Sequence, residues 1–385
     1  MSNMIFFLVM LFSTTVTSHS VDGNDITLKE EFELERHLKL INKPPIKSIE
    51  TEFGYIVDCV DIKTQPAFDH PLLKNHKLQI RPSFYSKNEK TNLNISSTKT
   101  RFGSDIVDCP KGSVPIRRTT KEDLIRAKIL LNNNTLVKRK AHRAEVYVSG
   151  RHYYGVRGTT SVYKPECSIN QASMSNAYVR NGEGGALNKI SVGWHVFPHI
   201  YGNDRTYAYA TWTSDGYVKT GCYNLQCQGF VQIHSKYHIG VPLQPVSVYG
   251  GDIYEMPVAI YQDAKSKNWW LSIFGETIGY YPQELFNNLK EAVQVGWGGS
   301  TIAMGDPSPK MGSGYFPDKN FKHACYFLNI GYKNATNSQY YGPNYSEAKG
   351  FHDVPECFGV EYYGRQESPY GYCLQFGGPG GKCDY

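Results

Sequence analysis

The sequence predicts an all-β body, a sandwich or a barrel, preceded by a smaller mixed α+β leader. Three observations carry that expectation. Aromatic residues make up 14 % of the 385 residues, with 29 Tyr and 36 Gly. Tyr, Trp, Thr and Val fall in short runs broken by Gly, Asn and Pro, the texture of strands and turns. From about His142 that texture continues to the C-terminus, whereas helical patterns concentrate in the first third of the chain.

The chain has room for about two domains. Residues 1–20 read as a signal peptide, with an apolar run Ile5–Phe12 followed by small residues ending at Ser18 or Ser20. That run is too short to span a bilayer, and no later segment approaches the needed length. Residues 21–141 read as the leader and 142–385 as the β-domain. The expected location is therefore secreted, in the extracellular space or the vacuole, with no membrane association once the signal is removed. A formal net charge of +6 is scattered along the chain, which excludes the basic patch that nucleic-acid binding requires.

In the leader, Thr27 to Lys43 reads as a helix, with Thr27-x-x-Glu30 as a capping box and Pro44-Pro45 as its stop. A second helix is expected from Thr119 or Thr120 toward Leu131, opened by Thr119-x-x-Glu122. Between them only short strands are plausible, for example around Tyr55 to Val60. The basic run Lys138-Arg139-Lys140 reads as an exposed linker open to a processing protease, giving a mature start between Lys138 and Arg143.

Strands are expected in the body at Glu145–Val148, Gly158–Tyr163, Ile190–Val196, Thr206–Thr213 and Phe230–His234. Trp269–Phe274, Val293–Trp297, Ala324–Gly331 and Tyr372–Phe376 continue the series. One helix is expected at about Pro282–Ala292, with Leu285, Leu289 and Ala292 on one face. No repeat of fixed period is present.

The run Val295-Gly296-Trp297-Gly298-Gly299-Ser300 draws attention as a strand. Alternation sends Trp297 and Gly299 to one face and Gly296, Gly298 and Ser300 to the other. Ile190-Ser191-Val192-Gly193-Trp194 repeats the arrangement, with Ser191 and Gly193 on one face and Trp194 on the other. Two strand faces of small residues, backed by tryptophan, suit the floor of a groove for an extended polypeptide. The plainer reading is a pair of core strands with glycines at bulges. On the groove reading, Trp194, Trp297, Gly193, Gly298, Gly299 and His195 are the binding candidates.

Longer motifs then accumulate. The leader carries Asp58-Cys59-Val60-Asp61-Ile62, a run from Gln65 to His76, and Cys109-Pro110-Lys111-Gly112-Ser113-Val114-Pro115. The body carries Gly221-Cys222-Tyr223-Asn224-Leu225-Gln226-Cys227, then Asn268-Trp269-Trp270-Leu271, Gly279-Tyr280-Tyr281-Pro282, Met311-Gly312-Ser313-Gly314 and Gly377-Gly378-Pro379-Gly380. Together these resemble the neprosin family, plant secreted proteins related to glutamic peptidases. The resemblance implies an activation peptide followed by a peptidase-type β-sandwich that cuts after proline with two glutamates. One ionised carboxylate activates water, and the other stabilises the tetrahedral oxygen and protonates the leaving nitrogen.

At the positions matching those glutamates this chain has Ser191 and Ser300. Serine does not ionise near neutral or acidic pH and cannot act as the general base. His195 is four strand residues from Ser191, roughly 13 Å along the strand and out of hydrogen-bonding reach. Glu183 lies in a Gly-rich stretch that reads as a loop. No H-E-x-x-H or paired C-x-x-C spacing occurs, so neither a metal nor another cofactor is expected.

The resemblance also implies three disulfides: Cys59–Cys109, Cys222–Cys227 and Cys357–Cys383. Cys167, Cys325 and Cys373 are left over, and Cys325 with Cys373, both in expected strands, are open to forming a fourth bridge. Glycosylation sequons stand at Asn94, Asn133, Asn334 and Asn344.

The expected function is a secreted protein that keeps the peptidase scaffold without hydrolysis and binds extended, Pro-rich polypeptides or another cell-wall component. Its own propeptide would be a further partner. The alternatives are an active prolyl endopeptidase using other residues, and a carbohydrate-binding structural protein of the wall.

Overall fold

The computed structural model describes residues 28–83, 107–126, 139–305 and 307–383. Helix α1 spans Leu28–Ile41, within the predicted helix; Thr27 of the expected capping box lies outside the described residues. Residues 121–126 form the start of α2. Its reciprocal cap joins Thr120 and Asp123, whose side chains accept from each other's backbone N–H at 2.9 and 3.2 Å. The box thus falls one residue later than Thr119-x-x-Glu122, and the continuation toward Leu131 lies outside the described residues. Between the helices, β1 (Lys47–Glu50), β2 (Ile56–Asp61) and β3 (Ser113–Arg117) pair as one small sheet. The Cys59–Cys109 disulfide fastens it, and the buried Asp58 carboxylate accepts from Arg118 Nε at 2.8 Å.

Two larger sheets build the body. One runs in the order β16-β4-β14-β6-β7-β8-β9: Lys349–His352, Arg139–Tyr153, Ala292–Met304, Gln171–Asn181, Asn188–Val196, Thr206–Thr213 and Cys222–Tyr223. The other runs β10-β13-β12-β11-β5-β15-β18-β17: Val231–Gln232, Glu276–Tyr281, Trp269–Ile273, Glu255–Gln262, Gly155–Ser161, Cys325–Lys333, Gly371–Gly377 and Gly359–Gln366. All pairings are antiparallel. The apolar residues of alternate positions, among them Val146, Val179, Val192, Ala210, Val258, Leu271, Phe327 and Phe376, form one core between the sheets. The fold is the predicted all-β sandwich with a mixed leader.

Each of the nine predicted strand segments coincides with a strand or overlaps one. Strand β6, central in its sheet, was not foreseen. Its sequence is rich in Ser and Asn, weak strand formers, and hydrogen-bonded neighbours on both edges hold it.

Three expectations fail. No helix forms over 282–292: a single 3-10 turn, Gln283–Leu285, leads to extended backbone and β14. Leu285, Leu289 and Ala292 are buried as the helical pattern required. The backbone of this stretch, however, is claimed by neighbours: Trp269 Nε1 donates to Leu289 O at 3.0 Å, and Asn188 Oδ1 accepts from Asn288 N–H at 3.2 Å. Second, Arg139 and Lys140 are not linker but the first residues of β4, paired with Met304 and Ala303 of β14. Third, Cys325 and Cys373 do not bridge. Cys325 faces the core between the sheets while Cys373 packs with Tyr326, Leu328 and Tyr363 on the opposite face, and both are free thiols.

Cys357–Cys383 forms as expected. Cys227 is disulfide-bonded; the side chain of Cys222 lies outside the described residues. Asn334 and Asn344 are exposed, while Asn94 and Asn133 lie outside the described residues. No helix among the described residues is long and apolar enough to cross a membrane.

Candidate functional site

The outer face of the seven-stranded sheet carries the candidate residues, and the strand register fixes their places. Three rows cross the sheet at its middle. Gly296, Tyr178, Ser191 and Thr211 make the first; Glu145, Gly298, Asn176, Gly193 and Tyr209 the second; Arg143, Ser300, Met174, His195 and Tyr207 the third. Ser191 and Ser300 therefore share a face but not a row. They are two strands apart and four residues out of register, about 16 Å between Cα atoms on a flat sheet. Ser191 is buried, at 4 % exposure, and Ser300 is half-buried.

Trp194 and Trp297 are not in a groove. Both are fully buried between the sheets, on the opposite face from the serines. Their indole N–H groups donate to Ser161 O and Arg157 O of β5, each at 2.8 Å, so the two rings tie one sheet to the other. A buried Trp N–H usually finds a partner, and here the facing strand supplies it. Gly299 also faces the core, where an added Cβ would stand 2.5 Å from Phe376.

The outer-face glycines are bare for a structural reason. An added Cβ at Gly193 would meet Ser175 O at 1.8 Å, and one at Gly298 would meet Ala144 O at 2.2 Å. At Gly296 it would meet the Tyr178 hydroxyl at 2.6 Å. Neighbouring strands and the Tyr178 ring already fill that space.

His195 is a core residue. Its Nε2 shares a hydrogen bond with the Tyr201 hydroxyl at 2.8 Å, and its ring stacks on Tyr209 at 4.3 Å. Burial pushes its pKa down to about 3, so it is neutral. It stands in the row of Ser300 with Met174 between them, and faces the Tyr201 cluster. Glu183 sits at the sheet end with an exposed side chain, its carboxylate 3.6 Å from Arg180.

One residue escaped the sequence reading. Glu145 is buried and lies in the middle row beside Gly298. Its carboxylate is 3.4 Å from Arg143. The signal was present: in Ala144-Glu145-Val146-Tyr147-Val148 the apolar residues alternate inward, which sends Glu145 to the serine face. Close by, Lys189 holds its ammonium 4.4 Å from the centre of the Tyr178 ring, and the Tyr178 hydroxyl accepts from Gln294 at 2.7 Å. Burial lowers the Lys189 pKa to about 8; Arg143 and Arg180 push the same way and Glu145 opposes them.

Among the outward positions of β4, β14, β6, β7 and β8, Glu145 is the sole carboxylate. No cluster of metal-ligating side chains occurs among the described residues.

The leader packs on one end of the body. Gln65 and the Gln232 backbone exchange two buried hydrogen bonds, at 2.7 and 3.0 Å. Ala67 and Phe68 pack against Val231, Trp270 and Tyr280. Arg117 lies over both Tyr55 and Tyr201, at 5.0 and 5.1 Å from the ring centres.

A two-sheet sandwich clasped by its own disulfide-bonded leader defines a two-part, precursor-type β protein. Residues 169–379 match the family model described as Neprosin, and residues 48–157 match the Neprosin activation peptide. The chain belongs to the neprosin family. Among solved structures it is distantly similar to scytalido-glutamic peptidase with a transition state analog inhibitor (10 % identity, TM-score 0.34, covering 63 % of this chain and 99 % of that one). It is also similar to SCP-B, an eqolisin-family peptidase in complex with the tripeptide Ala-Ile-His (9 %, 0.29, 63 % and 99 %). A third is CG-16, a homodimeric agglutinin from chicken liver (7 %, 0.23, 42 % and 92 %).

Proposed function

We propose that this neprosin-family chain is a secreted protein that binds extended polypeptide on the outer face of its seven-stranded sheet without hydrolysing it. The observation that carries the reading is the single carboxylate on that face. Two-carboxylate hydrolysis needs one ionised and one protonated group acting together, and Glu145 has no acidic partner among the outward positions of the five strands. Ser191 and Ser300 supply hydrogen-bonding hydroxyls only. The neutral, buried His195 is spent on Tyr201. Secretion rests on the apolar run Ile5–Phe12 and its small-residue flank.

Recognition of Pro-rich ligands by aromatic stacking loses its main support, since both tryptophans are in the core. The test pairs two measurements on the purified protein: cleavage of proline-containing peptides between pH 2 and 7, and binding of the same labelled peptides by fluorescence anisotropy. Binding without cleavage is expected. Turnover abolished by Glu145→Gln would replace this reading with an enzyme built on Glu145.

A further inference from the structure

The outward positions around the two serines carry more positive than negative charge. Arg143 and Lys189 are set against Glu145 alone at those positions, while Arg180 pairs with Glu183 at 3.6 Å. Two of these cations stand beside the serines. Lys189 precedes Ser191 by two residues on the same strand face, and Arg143 is the cross-strand partner of Ser300. Arg143 is already engaged, with Glu145 at 3.4 Å and the Phe351 ring at 4.9 Å, yet its side chain is 44 % exposed. Lys189 has no carboxylate within 4.0 Å among the described residues. Its half-buried ammonium has only the more distant Glu145 as a countercharge; holding a charge partly out of water without a close partner is costly, and a carboxylate arriving from outside would relieve that cost.

We propose that this face selects acidic polypeptide segments, one ligand carboxylate meeting Lys189 beside Ser191 and a second meeting Arg143 beside Ser300. The proposal rests on the polypeptide-binding reading and names its ligand class. Where a peptidase of this family would carry its own two carboxylates, this chain leaves two cations for the ligand's. The charged ends that stand beside the serines, Lys189 over Tyr178 and Arg143 toward Glu145, set the spacing. About 16 Å is about five residues of extended chain, so the ligand's acids stand about five residues apart. An acidic polysaccharide is disfavoured, because the rings nearest Ser191, Tyr178 and Tyr209, are each 1 % exposed and offer a sugar no face to stack on.

The test uses the full secreted chain and labelled twelve-residue extended peptides carrying two Glu five residues apart, or two Gln in their place. The Glu peptide is expected to bind at least tenfold more tightly, with affinity falling as salt rises. Lys189→Gln and Arg143→Gln should each weaken it about tenfold, while Lys189→Arg should retain it. Ser191→Glu, which places the chain's own carboxylate beside Lys189, should compete with the ligand and lower affinity likewise; thermal unfolding of each variant separates this from misfolding. Equal binding of the Gln peptide, or an unchanged affinity in Lys189→Gln, overturns the acidic preference and leaves polypeptide binding standing. Binding of neither peptide, or of polygalacturonate in their place, overturns both.

Discussion

Gly296, not Ser300, stands in register with Ser191 across Tyr178. The two serines, expected from the sequence at the family's glutamate positions, lie on one diagonal of the sheet, with the Asn176 row between them. A substrate touching both positions would cross the strands obliquely, and that geometry shapes the first prediction.

Restoring one carboxylate, by Ser191→Glu or Ser300→Glu alone, should yield no measurable peptidase activity, because acid and base act as a unit. The double variant is expected to show weak cleavage at acidic pH. Each general acid–base group is typically worth about 10²–10⁴-fold, so peptide mass spectrometry after prolonged incubation should detect it. Equal activity in a single variant would show that Glu145 already supplies the other half of the pair.

Trp297→Ala should destabilise the body by about 3–5 kcal/mol, the usual cost of removing a large buried side chain. It also removes the indole N–H that Arg157 O accepts at 2.8 Å. Denaturant titration measures the loss. A change below about 1 kcal/mol, within the range of surface substitutions, would place the ring on the surface after all.

Stability should fall as pH drops from about 6.5 toward 3. The folded state holds His195 at about 3 and His238 at about 4, in both cases chiefly through burial. Below the unfolded value near 6.5 the unfolded chain binds more protons, so the equilibrium shifts toward it. For His195 alone the loss by pH 4 is on the order of 3 kcal/mol. Denaturant midpoints at pH 7 and pH 4 should differ less in His195→Leu than in the parent; an unchanged difference would mean His195 is not what titrates.

Cys325 and Cys373 should resist alkylation in the native protein and react only after unfolding. Both are fully buried, and burial raises each thiol to about 12, which suppresses the reactive thiolate. Peptide mapping after native and denaturing alkylation distinguishes the two states. A crosslinked Cys325–Cys373 peptide would contradict the placement of these residues on opposite faces of their sheet.

If the leader is removed, the cut should fall before Arg139. A start between 140 and 143 would require cleavage within strand β4, where Lys140, Ala141, His142 and Arg143 are paired with β14. His142 and the Arg143 N–H are also bonded to Asp353, at 3.0 and 2.9 Å. N-terminal sequencing of the purified protein reads this directly.

The sequence by itself determined the class of fold, most strands, the leader and the family, because these follow from local alternation, turn residues and long motifs. It also assigned Trp297 and Ser300 to opposite faces, since side chains alternate along any strand. Alternation does not say which face meets the core. Only packing of the second sheet decided that the tryptophans point inward, where β5 offers carbonyls to their N–H groups. The helix expected at 282–292 failed for a related reason: its apolar spacing was real, but side chains of Asn188 and Trp269, distant in sequence, took up the backbone groups. The offset between Ser191 and Ser300, and the placing of Glu145, Arg143 and Lys189 around them, depend on the register of four strands. Register arises from hydrogen bonding between segments far apart in the chain, so no reading of one segment at a time contains it.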